Sequence, residues 1–241
     1  LLGIFAMSYS LYGGLKAVAL TDIVQVVLLV AGGLMIAAIL LEQISGGAGV
    51  MAGFVTLMER VPDRFDMILA QDHPHYMSLP GVSVLIGGMW VMNVSYWGFN
   101  QYIIQRALAA KSVKEAQKGI AFAAFLKLLM PVIVVLPGIA MYALNAELAT
   151  PDQAYPSAMA LLPAGIKGLV FAALLAAIVS SLASMCNSIS TIFTVDLLPS
   201  MVSEQWLDRH RLASGRGTAL IAMTIAMMAA QPLLGNFDQA F

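Results

Sequence analysis

Asn93, Tyr96 and Trp97 fall at i, i+3 and i+4, a spacing that puts them on one face of a helix. An amide, a phenol and an indole on one face offer hydrogen-bonding edges beside a flat apolar plane. Those surfaces suit a neutral polyhydroxylated ligand; they equally serve as polar glue between packed helices, and the spacing alone fits both. Lys127 is the second candidate. It lies nine residues beyond Lys118, about 13 Å along its helix and so near the middle of a hydrocarbon core of about 30 Å. A lysine at that depth marks a functional site by default; its other use is to snorkel toward a lipid headgroup. Ala173, Ala177, Ser180, Ser181, Ser184 and Ser188 form a small, partly hydroxylated stripe at helical spacing. Small residues let helices pack closely. Alternatively, the Ala177 carbonyl and the Ser180 and Ser181 hydroxyls ligate a hard cation, which prefers oxygen; neutral oxygens favour a monovalent ion over calcium, which recruits carboxylates. Asp22 reads either as a helix N-cap or as an accessory group on a cation path.

These groups need a scaffold, and the composition describes it. The chain has 241 residues, 60% of them hydrophobic and 10% charged, with a mean hydropathy of +0.86. A soluble globular domain carries about 25% charge. The apolar residues gather in runs of about 20, the length that spans a bilayer as a helix. The partner this demands is the lipid bilayer. A net charge of −1 and the lack of any basic run exclude a nucleic-acid partner. The single cysteine, Cys186, excludes an intramolecular disulfide and a Cys-based zinc cluster. His73, His75 and His210 sit in polar links and make no metal site. No nucleophile–base pair or phosphate loop appears, so the chain is not read as an enzyme.

Taken in order, the spans are expected over about 1–10, 22–42, 81–106, 118–144, 167–198 and 217–234. The expected architecture is an all-α membrane protein with about five complete transmembrane helices and a truncated first one, an internal fragment of a larger membrane protein. Residues 11–19 are expected as a short link broken at Gly13-Gly14, with Thr21 or Asp22 capping the next helix. Within the longer link 43–79, residues 51–61 are expected as a short interfacial helix carrying Phe54, Val55, Leu57 and Met58. Pro131 and Pro137 are expected to kink their span. The segment 81–106 is unusually polar for its place. Asn93, Tyr96, Asn100 and Gln101 would be costly in hydrocarbon unless they face protein, water or a ligand, so it is expected to face a cavity.

Basic residues orient the set. With 11–19 in the cytoplasm, that side holds Lys16, Arg106, Lys111, Lys114, Lys118, Arg209, Arg211 and Arg216, and the outer side only Arg60, Arg64 and Lys167. This is a positive-inside bias, and it predicts a multi-pass protein of the plasma (inner) membrane.

Three stretches carry a resemblance: YGGLKAVALTDIVQ at 12–25, WGFNQYIIQRALAAKSVKEAQKG at 97–119 and AAIVSSLASMCNSISTIFTVD at 176–196. They resemble the sodium/solute symporter family, nearest its sodium–galactose and sodium–glucose carriers. The resemblance implies a LeuT-like fold of two inverted five-helix repeats, with substrate near the midplane at broken helices. It implies sodium-coupled symport of a sugar such as galactose or glucose by alternating access, with sodium as the co-transported ion. Asn93 and Lys127 would then bind sugar hydroxyls. Tyr96 would stack on the sugar as an inner gate with Trp97 beside it, and Ala177, Ser180 and Ser181 would form part of the sodium site. Asp22 would lie on the sodium exit path. The same fold also serves carriers of proline, pantothenate or sialic acid, and solute sensors. Oligomeric state is not legible.

Overall fold

The computed structural model describes residues 2–73, 76, 81–144 and 150–234. Those residues are mostly helical, with no strand among them. The helices are α1 (Leu2–Ile44), α2 (Val50–Arg60), α3 (Met89–Val94), α4 (Gln101–Leu108), α5 (Val113–Lys127), α6 (Leu136–Ala143), α7 (Ala154–Ala160), α8 (Ala164–Ile192) and α9 (Glu204–Leu234). Stretches long and apolar enough to cross a membrane lie at Val18–Ile44, Val113–Ala143, Ala164–Ser200 and Glu204–Ala230.

The first of these differs from the sequence expectation. Residues 2–44 form one helix, without the link expected at 11–19. A glycine in a helix interior costs only about 1 kcal/mol, and burial of Ala6 and Val18 on either side of the pair, both fully buried, offsets it. The N-cap reading of Asp22 is therefore wrong. Thr21 and Asp22 lie mid-helix, and the Thr21 hydroxyl donates to the Val18 carbonyl at 3.0 Å. At 1.5 Å per residue α1 is about 64 Å long, more than one crossing needs.

The chain divides into two compact units, Leu29–Val170 and Leu1–Leu28 with Phe171–Phe241. In the first, Ile36, Leu40, Leu57, Leu136, Ala140, Met159 and Val170 form the core. Helix α1 ends in a Schellman turn: Gly46 (φ 65) donates to Gln43 and Gly47 to Glu42, the left-handed geometry glycine tolerates best. The reversal lays α2 against α1 so closely that a Cβ on Gly53 would stand 1.9 Å from the Leu41 carbonyl oxygen. Leu57 is fully buried there and Phe54 packs on the core. Val55 and Met58 stay exposed, so the expected interfacial helix is tied down by half of its apolar face. Gly32 and Gly33 admit the side chains of Val170 and Ile133 in the same manner.

Residues 81–106 do not form one regular helix. A π-helical turn (Val84–Gly88) leads into α3, a second (Ser95–Phe99) follows it, and the chain breaks at Asn100, whose backbone is extended, before α4. Residues 113–143 are irregular at the expected place: α5 stops at Lys127, a π-helical turn spans Pro131–Val135, and α6 follows. Pro131 brings no N–H to the carbonyl four residues earlier, that of Lys127, which is why a regular helix stops there.

The second unit is built from small residues. Ala6, Val179, Cys186, Ala219 and Met223 make its apolar core. Ser180, Ser184 and Ser188 are buried in the same unit, so the stripe on α8 does pack. Gly215 on α9 lies close enough to Ser190 on α8 for the serine hydroxyl to donate to its carbonyl at 2.9 Å.

Candidate functional site

The candidates fall into two groups, one in each unit. In Leu29–Val170, α3 carries Asn93 and the following π-helical turn carries Tyr96 and Trp97. The Asn93 amide donates to the Met89 carbonyl at 2.8 Å, and the Trp97 indole N–H donates to Asn93 Oδ1 at 3.2 Å. These bonds fix the amide orientation and leave it one N–H and one oxygen lone pair. The Tyr96 and Trp97 rings meet edge to face, centroids 5.2 Å apart. Lys127, the last residue of α5, places Nζ 4.2 Å from the Trp97 ring centroid, within the range of a cation–π contact.

The fold thus brings Asn93, Tyr96, Trp97 and Lys127 together, although Lys127 lies on another helix. Tyr96, Trp97 and Lys127 are exposed and Asn93 is half-buried. The cluster offers ammonium and amide donors, a phenol and aromatic planes, which matches the donor and acceptor pattern of a polyol. π-Helical turns are frequent at functional sites, and here one turns two aromatic residues out beside the amide.

Two residues left without a role by sequence reasoning gain one. Asn100 caps α4, its side-chain oxygen accepting from the Tyr102 N–H at 3.1 Å. Gln105 is buried and its amide donates to the Tyr102 carbonyl at 3.1 Å. The signal for Asn100 was present, since asparagine is a strong N-cap. The break ahead of α4 puts that cap to use.

In the other unit, α8 carries Ala177, Ser180 and Ser181, and α1 carries Asp22. The Ser180 hydroxyl donates to the Asp22 carboxylate. Ser180 is buried and Ala177, Ser181 and Asp22 are half-buried. Because Ser180 gives its hydrogen to Asp22, its lone pairs remain for another partner, and the carboxylate adds negative charge beside them. Neutral oxygens with one carboxylate behind them form a donor set fit for a small monovalent cation. Spacing did not reveal the Asp22–Ser180 contact, because 158 residues separate the two.

Comparison with known proteins adds independent evidence. Residues 1–234 match the Sodium:solute symporter family. A sodium/glucose cotransporter of Vibrio parahaemolyticus is 51% identical over 257 aligned positions, covering 100% of this chain and 47% of that protein. An uncharacterized symporter of Escherichia coli (strain K12) is 31% identical, covering 99% of this chain and 41% of its own length. A sodium/mannose cotransporter of Bos taurus is 32% identical, over 78% of this chain and 36% of its own. The chain spans about half the length, or less, of the curated relatives it matches. With a match running over nearly every residue and helices long and apolar enough for a multi-pass membrane protein, the chain belongs to the sodium:solute symporter family.

Proposed function

We propose that this chain supplies part of a sodium-coupled sugar carrier of the plasma membrane. The observation that carries the reading is the cluster of Asn93, Tyr96, Trp97 and Lys127, which joins hydrogen-bond donors to aromatic planes on a broken helix. Sugars combine hydroxyl edges with apolar ring faces, and this cluster provides a partner for each. Relatives named for glucose and mannose support a sugar over proline, pantothenate or sialic acid. A free-standing solute sensor gains no specific observation.

Asn93 and Lys127 bind sugar hydroxyls in this reading, Tyr96 stacks on the ring and closes the inner exit, and Trp97 holds Lys127 in place. Sodium is a substrate. Ala177, Ser180 and Ser181 supply its oxygens, and Asp22 orients Ser180 and draws the cation along the path to the cytoplasm. Sodium binding favours the outward-open state and raises sugar affinity, and by linkage sugar raises sodium affinity by the same factor. Two inverted repeats would carry the alternating access, and the basic residues set the cytoplasmic side.

The test is uptake of radiolabelled galactose and glucose by the intact protein in liposomes, with and without an inward sodium gradient. Sodium-driven accumulation is expected. Uptake indifferent to the gradient removes the coupling, and competition by proline but not by sugars removes the sugar.

A further inference from the structure

The unit formed by Leu1–Leu28 and Phe171–Phe241 contains a cavity of about 390 Å³ whose chemistry the symport reading does not use. Ser10, Asn187, Ser190, Thr194, Arg211 and Arg216 supply its polar lining, and no acidic residue lines it among the described residues. Neither arginine has a carboxylate at ion-pair distance among the described residues. Two guanidiniums face one cavity without neutralisation.

The hydrogen bonds around it assign the other groups. The Ser10 hydroxyl donates to Asn187 Oδ1 at 3.1 Å, with the Ala183 carbonyl at 3.4 Å. Ser190 donates to the Gly215 carbonyl at 2.9 Å and Thr194 to the Ser190 carbonyl at 2.7 Å. All three hydroxyls have given their hydrogens to the protein, so toward the cavity they are acceptors. Asn187 is the reverse case: Oδ1 is engaged by Ser10, while Nδ2 is sealed from solvent and has no partner. Buried donors of this kind are rare in folded proteins and need an explanation. The cavity therefore presents guanidinium donors together with hydroxyl oxygens that accept, and the Asn187 N–H lies sealed behind its wall.

We infer that this cavity binds the phosphate ester of a polyol. A phosphate matches the two arginines, which bind it in bidentate geometry. Ligand hydroxyls donate to the Ser and Thr oxygens. A bare anion would leave those oxygens idle, and a bare sugar would make no use of the charge on the two solvent-exposed arginines. The volume lies within the range of small-molecule sites. Two sources share this chemistry. One is the headgroup of an anionic glycerophospholipid, since basic pockets between membrane helices on the cytoplasmic side take such headgroups, and positive-inside reasoning puts Arg211 and Arg216 there. The other is a soluble glycerol or sugar phosphate.

The test uses the intact protein purified into lipid-free detergent. In one arm it is offered phosphatidylglycerol or phosphatidylcholine at equal concentration, and native mass spectrometry counts retained lipid. In the other, sn-glycerol 1-phosphate is titrated and binding is read by calorimetry. Retention of phosphatidylglycerol alone identifies a lipid site, and binding of glycerol phosphate identifies a soluble ligand. In whichever arm binds, Arg211→Gln with Arg216→Gln should weaken binding roughly tenfold or more. Asn187→Asp, which replaces the donor by a negative charge, should do the same, while Arg209→Gln, outside the cavity, leaves binding unchanged. Failure of both probes, or equal binding by wild type and the arginine double variant, overturns the inference. Should that variant not purify, equal retention of phosphatidylglycerol and phosphatidylcholine by wild type, with no binding of glycerol phosphate, overturns it as well.

Discussion

The unit Leu29–Val170 and the unit formed by the two ends of the chain solve opposite problems. In the first, candidate side chains are large, aromatic and exposed, and they sit where helices fail: α3 between two π-helical turns, and Lys127 at the end of α5 before Pro131. In the second, they are small and half-buried or buried on α8, an unbroken helix of 29 residues. A ligand the size of a sugar needs side chains turned out of regular helical positions, and irregular backbone does that. A cation needs oxygens held at fixed separation, and an uninterrupted helix with close packing does that. One packing contact sets the units apart: Gly53 meets rigid backbone, while Gly32 and Gly33 of its own unit meet the side chains of Val170 and Ile133, and a Cβ on Gly215 or Gly3 in the other unit would meet the Ser190 hydroxyl or the Met227 sulfur, ends of side chains that can move.

The largest test of this contrast is on packing. Gly53→Ala should destabilise the protein by about 3 kcal/mol or more, since a Cβ cannot coexist with the Leu41 carbonyl. Gly215→Ala should cost clearly less, because Ser190 can rotate away. Thermal unfolding followed by size-exclusion chromatography measures both. Equal costs would break the contrast.

The next test separates the two groups by function. Lys127→Ala should raise the sugar concentration for half-maximal uptake by roughly 10- to 100-fold at unchanged sodium dependence, the loss of a hydrogen bond to a charged group worth about 1.5–3 kcal/mol. Ser181→Ala or Asp22→Asn should instead raise the half-saturating sodium concentration. Measuring uptake across both concentrations distinguishes them, and a Lys127→Ala effect confined to sodium would reverse the assignment.

Smaller effects probe the broken helix. Asn100→Ala removes the cap of α4 and should cost about 1 kcal/mol, while Asn100→Asp keeps an acceptor and should cost little. Smallest is Trp97→Leu, which deletes the aromatic face under Lys127 and should weaken sugar binding by the few-fold that corresponds to about 0.5–1 kcal/mol; Trp97→Phe should retain much of it. Equal loss in both variants would mean that the indole N–H bond to Asn93 matters more than the ring face.

Hydrophobic run length made the all-helical membrane character legible, because a bilayer accepts little else. The polar composition of 81–106 marked a segment expected to face a cavity; the irregular backbone itself comes from the structure. The cluster of Asn93, Tyr96 and Trp97 could be read from spacing, since neighbours on one helix are fixed by the helical repeat. The link at 11–19 was misread because glycine weakens a helix without ending it, and what surrounds the helix decides the outcome. Asp22 was misread for the same reason: a cap is a property of a helix end, and the end lies elsewhere.

By itself, then, the sequence determined which segments are apolar enough to span, which residue types those segments carry against their cost, and the family whose motifs they match. Only the tertiary structure decided that Lys127 lies over Trp97, that Asp22 receives the Ser180 hydrogen, and that Ser10 meets Asn187 beside two arginines. Local periodicity is encoded residue by residue along the chain. A contact such as that between residues 10 and 187 exists only once helices pack, because it depends on how their side chains share space.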